Sequence, residues 1–179
     1  EWNSVHKGWK IVNGWVHSSK AHNRALWLAQ NFSGDLIIEF DARSEPPTKG
    51  AFRGDIKFDA FATEPKRVAC GKDLCSMGYV VINGGWFNKF DLIARLDEHK
   101  SDSAIVKKRT TKSAHSEIKP SVTYRWKIVR QGNTIHWYRG DVLQLSFEDK
   151  KPLAGGFFGF NNWESNVYFD NLKVYAAKP

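Results

Sequence analysis

Long apolar runs are missing from this sequence. A membrane-spanning helix needs on the order of 18 consecutive apolar residues, and no stretch comes near that. The opening Glu1-Trp-Asn-Ser4 has neither the basic start nor the apolar core of a secretory leader, which fits a mature form whose leader has been removed. Internal repeats, low-complexity tracts and linker-like stretches are absent, so residues 1–179 are expected to form one domain. The histidines His6, His17, His22, His99, His115 and His136 show no H-x3-H or H-E-x-x-H spacing, and no zinc site is expected. Neither a glycine-rich phosphate loop nor a nucleophile-elbow sequence occurs. Helix signals are nearly absent too, with at most one turn expected in residues 64–69.

What is present is aromatic and basic. Tryptophan occurs 8 times in 179 residues, a length that supports a sizeable core. The formal net charge of +8 favours acidic partners such as anionic glycan, nucleic acid or a negatively charged envelope. The cations are scattered, however, with one small cluster at Lys107-Lys108-Arg109 and Lys112. No nucleic-acid-binding motif accompanies them, so nucleic acid is not an expected partner and a solvated basic surface is the simpler reading. Cys70 and Cys75 stand in Cys-Gly-Lys-Asp-Leu-Cys. A disulfide closing this loop suits an exported protein. The alternative, free thiols or half a metal site, lacks the partner ligands such a site needs. A bridge this short would pin a local turn and add little global stability.

Short alternating segments run the length of the chain. Gly8–His17 reads as a hairpin around Asn13-Gly14, the strongest short-range hairpin signal. Ala25–Ala29 is a short strand, and Asp35–Arg43 alternates Leu36, Ile38, Phe40 and Ala42 against Ile37, Glu39, Asp41 and Arg43 until Pro46-Pro47 stops it. Phe52–Asp59 repeats the pattern, with Arg53, Asp55, Lys57 and Asp59 on the polar face. Strands follow at Tyr79–Asn83 and Phe90–Leu96, separated by the loop Gly84–Asn88. Residues 97–118 are polar, with one strand expected around Ala104–Val106. Val122–Arg130, Thr134–Arg139 and Val142–Phe147 form two further hairpins. Phe157–Phe160 and Val167–Tyr175 read as two strands closing a sheet, the second needing a bulge at Asp170-Asn171 to keep its period. That strand is expected in the middle of a sheet, beside the first strands. The pattern predicts an all-β fold, a two-sheet antiparallel jelly-roll sandwich.

Several of these segments carry a family pattern. Tyr124–Asp141, Lys151–Gly156, Phe158-Gly-Phe160 and Val167–Val174 resemble the C-terminal half of concanavalin A-like lectin/glucanase domains. The similarity is greatest to the laminin-G-like group that includes the 3-keto-disaccharide hydrolase family and levan-binding modules. Gly8-Trp-Lys-Ile-Val-Asn-Gly-Trp-Val16 resembles that group's opening strand pair. The chain departs from the pattern at Arg139-Gly-Asp141 and through the Cys70–Cys75 insertion. The resemblance implies a sandwich presenting a sheet face or loop rim to a saccharide. It also implies a structural calcium held by a last-strand carboxylate, here Asp170; a carboxylate capping backbone N–H groups at a bulge is the alternative.

Glycosidase chemistry needs two carboxyls across the scissile bond. Related β-glucanases carry E-x-D-x-(x)-E on one strand; here Glu39 and Asp41 supply the first two, and Glu45 comes too late and beside Pro46. A polyuronide lyase would instead need cations to neutralise the uronate and a base such as His136 or Tyr138. A saccharide-binding surface needs an aromatic platform for the C–H face of the sugar and polar groups for its hydroxyls. Trp86, in a glycine-flanked loop beside Asn83 and Asn88, and Trp163, in the polar turn Asn161–Asn166, are the tryptophans expected at the surface. Asp91, Arg95 and Asp97-Glu98-His99 add the densest group of polar candidates.

The leading expectation is therefore a secreted, periplasmic or cell-surface glycan-binding domain using Trp86, Asn83, Asn88, Asp91, Arg95 and Trp163. A glycoside hydrolase or polysaccharide lyase on the same fold is the alternative, with Glu39, Asp41, His136 and Tyr138 as catalytic candidates. A structural or adhesion module without a small ligand is the third. No cofactor beyond the calcium is expected.

Overall fold

The computed structural model describes residues 2–3, 8–47, 49–99, 105–109 and 117–177; His6, Ala104, Lys112 and His115 lie outside them. Two seven-stranded sheets carry the fold. The first runs β1 (Trp2–Asn3), β4 (Leu26–Leu28), β15 (Phe157–Asn161), β6 (Ile56–Ala62), β9 (Tyr79–Gly84), β10 (Phe90–Arg95) and β11 (Ile105–Arg109). The second runs β14 (Val142–Glu148), β13 (Thr134–Arg139), β12 (Tyr124–Gln131), β5 (Leu36–Glu45), β16 (Asn166–Ala176), β3 (Trp15–Ser18) and β2 (Trp9–Val12). All their pairings are antiparallel, and the architecture is a jelly-roll sandwich.

Period-two patterning builds the core between the sheets. Along β5 every second side chain is buried, Ile38, Phe40 and Ala42 completely, because successive side chains leave a strand on opposite faces. Phe40 is the hub, with its ring centroid 5.0 to 6.3 Å from those of Phe58, Phe158, Phe160, Phe169 and Trp126. The expected bulge is present. Asp170 pairs with Asp41 but Lys173 with Glu39, so one extra residue is absorbed, and Asn171 takes φ 52°. The Asn13-Gly14 turn has positive φ at both residues, as a two-residue hairpin turn of this type requires.

Three expectations change. Phe157–Asn161 and Asn166–Ala176 do not close one sheet: β15 and β16 belong to opposite sheets, and Phe160 stacks on Phe169 across the sandwich at 4.2 Å. Consecutive aromatic strands satisfy the same alternation whether they pair side by side or face to face. Residues 64–69 form a bend leading into β7 (Arg67–Cys70), not a helical turn. With β8 (Asp73–Ser76) this strand makes a two-stranded hairpin pinned by the Cys70–Cys75 disulfide, whose Cα atoms are 5.7 Å apart. Lastly, the polar face of β6 is not wet. Asp55, Lys57 and Asp59 are all buried; Arg67 of the hairpin reaches Asp59, and Glu98 of the loop after β10 reaches Lys57.

Candidate functional site

Between β9 and β10 the chain makes a left-handed turn over Gly85–Asn88. Trp86 (φ 54°, ψ 56°), Phe87 (φ 60°, ψ 50°) and Asn88 (φ 64°) are consecutive residues in the left-handed region, which costs roughly 1–2 kcal/mol each for residues with a Cβ. Side-chain bonds hold the turn. Asn88 Nδ2 donates to the Ile118 carbonyl at 2.8 Å and its Oδ1 accepts from the Ile118 N–H at 3.1 Å. Asp91 Oδ1 accepts from Asn83 Nδ2 at 2.5 Å and from the Gly84 N–H at 2.9 Å. The result is a pair of rings pushed outward, Trp86 37% exposed and Phe87 54%. Asn83, Asn88 and Asp91, expected as ligand contacts, thus brace the turn from within.

Trp86 and Trp163 meet at one pocket of about 120 Å³. Trp163 is fixed by an isolated bridge to His22, whose ring lies 3.7 Å away. Phe87 completes the aromatic wall, and Arg53, Asp55, Lys57, Glu98 and His99 supply the polar lining. His99 stands 6.4 Å from Trp86, edge to face.

The floor is a buried charge network. Lys57 Nζ donates to Glu98 Oε1 at 2.7 Å and to Asn23 Oδ1 at 2.5 Å. Arg67 holds Asp59 at 3.1 Å and Glu98 at 3.5 Å, and Asn161 Nδ2 donates to Asp59 at 3.0 Å. Asn23 Nδ2 reaches Asp73 at 2.6 Å, and His99 Nε2 reaches the other oxygen of Asp73 at 3.0 Å. Burial alone would raise the Glu98 pKa, but Lys57 and Arg67 outweigh it and keep the carboxyl below its ordinary range. Asp55 differs. Burial pushes it up to about 7 against the pull of Lys57, and its Oδ1 has no hydrogen-bond partner among the described residues.

That difference fixes a pH dependence. A folded-state pKa of about 7 against the ordinary 3.8 means the native state binds a proton the unfolded chain has released, so stability falls as pH rises through that window. Asp55→Asn, neutral at every pH, should match the parent near pH 4 and melt several degrees above it at pH 8. Parallel pH–melting profiles for the two proteins would refute this.

Asp73, Glu98 and His99 bring three metal-ligand side chains together, with donor atoms within 4.8 Å of one another. Two cations, Lys57 and Arg67, already neutralise Glu98, and the set has the chemistry of an ion network. Asp170 joins no such cluster among the described residues; it pairs in register with Asp41. Arg95 does not line the Trp86 pocket. It ends β10 opposite Tyr79, and its Nε bonds Asp149 at 3.0 Å. Glu39 and Asp41 lie in the other sheet, where Arg125 forks between them at 3.1 Å to each. His136, in that sheet too, bonds Ser146 at 2.7 Å, and Lys127 sits 4.6 Å over the Tyr138 ring. The acid–base groups on β5, β6 and β10 do not form one ladder, because β9 separates β6 from β10 and β5 is in the opposite sheet. Sequence reasoning missed Phe87, Asn23, Asp73 and Arg67; a charged residue inside the Cys70–Cys75 loop was the available signal for Asp73.

The family model described as "Domain of unknown function (DUF6250)" matches residues 19–172. The chain belongs to the DUF6250 family. No curated protein matches it by sequence. In structure, this DUF6250 chain is similar to the carbohydrate binding module CBM66 from Bacillus subtilis, at TM-score 0.71 and 17% identity over 98% of this chain and 95% of the other. It is similar also to the Emp47p carbohydrate recognition domain, at 0.61 and 14% over 99% and 89%. A third likeness is to the PL7 alginate lyase AlyA1 from Zobellia galactanivorans, at 0.53 and 12% over 98% and 83%. At such identities the likeness establishes a shared sandwich fold for this chain.

Proposed function

We propose that this chain is an exported domain that binds a poly- or oligosaccharide in the Trp86–Trp163 pocket. The observation that carries the reading is the pairing of two indoles and Phe87 with a charged floor in one small cavity. Aromatic faces take the C–H side of a sugar ring, while ionised groups already fixed in place receive its hydroxyls without reordering. The lectin and carbohydrate-binding neighbours support the same reading. Retention of the protein on immobilised neutral and anionic polysaccharides tests it. Trp86→Ala should weaken retention roughly thirtyfold, the loss of a central aromatic contact worth about 2 kcal/mol, without lowering the melting temperature. Unchanged retention removes the pocket as the binding site.

Hydrolysis of a glycosidic bond at the same pocket is the second reading. It is favoured by two carboxyls held in opposite states, Asp55 raised and Glu98 lowered, the division of labour an acid and its partner carboxylate require. New reducing ends in the retention assay would support it. Neither retention nor product would favour a structural or adhesion role.

A further inference from the structure

The Trp86 pocket has a neighbour. A cleft of about 810 Å³ is lined by His17, Lys20, Lys49, Asn166 and Tyr168, among others, and it shares two walls with the pocket: Arg53 and Phe87 line both. This common ridge is built rather than incidental. The Arg53 guanidinium lies over the Phe87 ring at 5.5 Å and pairs with Glu164 at 3.5 Å. The cleft floor is equally fixed, with His17 Nε2 bonded to Asn166 Oδ1 at 2.8 Å and its ring 4.3 Å from Tyr168.

Size and charge differ between the two compartments. A space of 120 Å³ suits one sugar ring, whereas the cleft is several times larger. Glu164 is the one acid among the described residues lining the cleft, and Arg53 and His22 already hold it. Lys20 and Lys49 are exposed and have no ion-pair partner among the described residues.

From this juxtaposition we infer that the site takes a chain, one sugar unit in the Trp86 pocket and the following, negatively charged units across Arg53 and Phe87 in the Lys20–Lys49 cleft. The inference rests on the pocket proposed above as the sugar site. The recognised chemistry is an oligosaccharide bearing carboxylate or sulfate groups. Lysine ammonium groups at a rim suit such anions, and their attraction is screened by salt over about 8–10 Å.

The test is retention on immobilised alginate and polygalacturonate (carboxylate), carrageenan (sulfate), and laminarin and levan (neutral), in 50 mM and 300 mM NaCl. The proteins compared are the parent, Lys20→Ala/Lys49→Ala, Trp86→Ala, and Lys150→Ala/Lys151→Ala as a control that removes equal charge just after β14, at the sheet edge opposite β2 and β3 and in the lining of neither compartment. The expected result is retention on at least one anionic polymer, weakened about tenfold by Lys20→Ala/Lys49→Ala and by salt, lost with Trp86→Ala and kept in the control. Carboxylate and sulfate arms separate the two anion sources. Retention on neutral polymers alone, indifferent to Lys20→Ala/Lys49→Ala, overturns the cleft and leaves the pocket standing. An equal loss in the control also overturns it, as diffuse charge attraction. Anionic retention that depends on the lysines but not on Trp86 overturns the one-chain arrangement and the pocket reading together. The lysines are surface residues, so the double variant should melt with the parent; Lys20→Glu/Lys49→Glu, reversing the charge, must weaken retention further.

Discussion

Lys57→Met is expected to destabilise the fold by about 3–5 kcal/mol, the cost of removing one partner from a buried charge pair. The ammonium group is 1% exposed and sits within hydrogen-bond reach of Glu98 and Asn23. Methionine fills the same space and bonds neither. Glu98, its side chain 5% exposed, would then keep only Arg67 at 3.5 Å and the His99 ring at 3.7 Å. The loss should shrink in acid, because Glu98 without Lys57 will take up a proton in the folded state, and such a group contributes most below its folded pKa. Urea unfolding at pH 5 and pH 8 measures both effects. Lys57→Met/Glu98→Leu should recover much of the loss, since a buried pair replaced whole by apolar side chains is often close to neutral. A single variant within 1 kcal/mol of the parent at pH 8 would mean that water reaches the network.

Phe40→Ala should cost a similar amount, about 3–5 kcal/mol, for a different reason. The Phe40 ring is fully buried at the centre of five aromatic neighbours drawn from both sheets. Those rings are anchored on four strands of the two sheets and cannot all move in, so most of the vacated volume stays as a cavity. Phe40→Leu, which keeps much of the volume, should lose well under half as much. Chemical unfolding gives both numbers. An alanine variant no weaker than the leucine one would show that the surrounding rings collapse. This loss should be independent of pH, in contrast to Lys57→Met.

The strands were legible because one physical rule, two faces in alternation, governs nearly all of them. The Asp170-Asn171 bulge was legible for the same reason: without it, Leu172 and Val174 would point away from Phe169. Pairing was less so. Nothing local distinguishes Phe160 beside Phe169 in one sheet from Phe160 across the core from it. The buried network was hidden by its own pattern, since Asp55, Lys57 and Asp59 alternate as a wet face would, and the partners of Lys57 and Asp59, Glu98 and Arg67, come from other segments of the chain. Trp86 and Trp163 were found from their polar, turn-rich surroundings. Asn83, Asn88 and Asp91 were near the site in sequence but face inward, because the left-handed turn has no sequence signature in Trp-Phe-Asn. Arg95 is set apart from the Trp86 pocket by distance. A strand advances about 3.3 Å per residue, which carries it some 17 Å beyond Phe90, and there Asp149 binds it.

The placement of β16 between β3 and β5 sets an order of events during synthesis. Those two partners emerge from the ribosome more than a hundred residues before the strand that joins them. Until residues 166–176 arrive, each keeps a bare hydrogen-bonding edge, a surface prone to pairing with other chains. Sheet closure is thus a late and long-range step, of the kind that folds slowly and leaves strand edges exposed in the meantime.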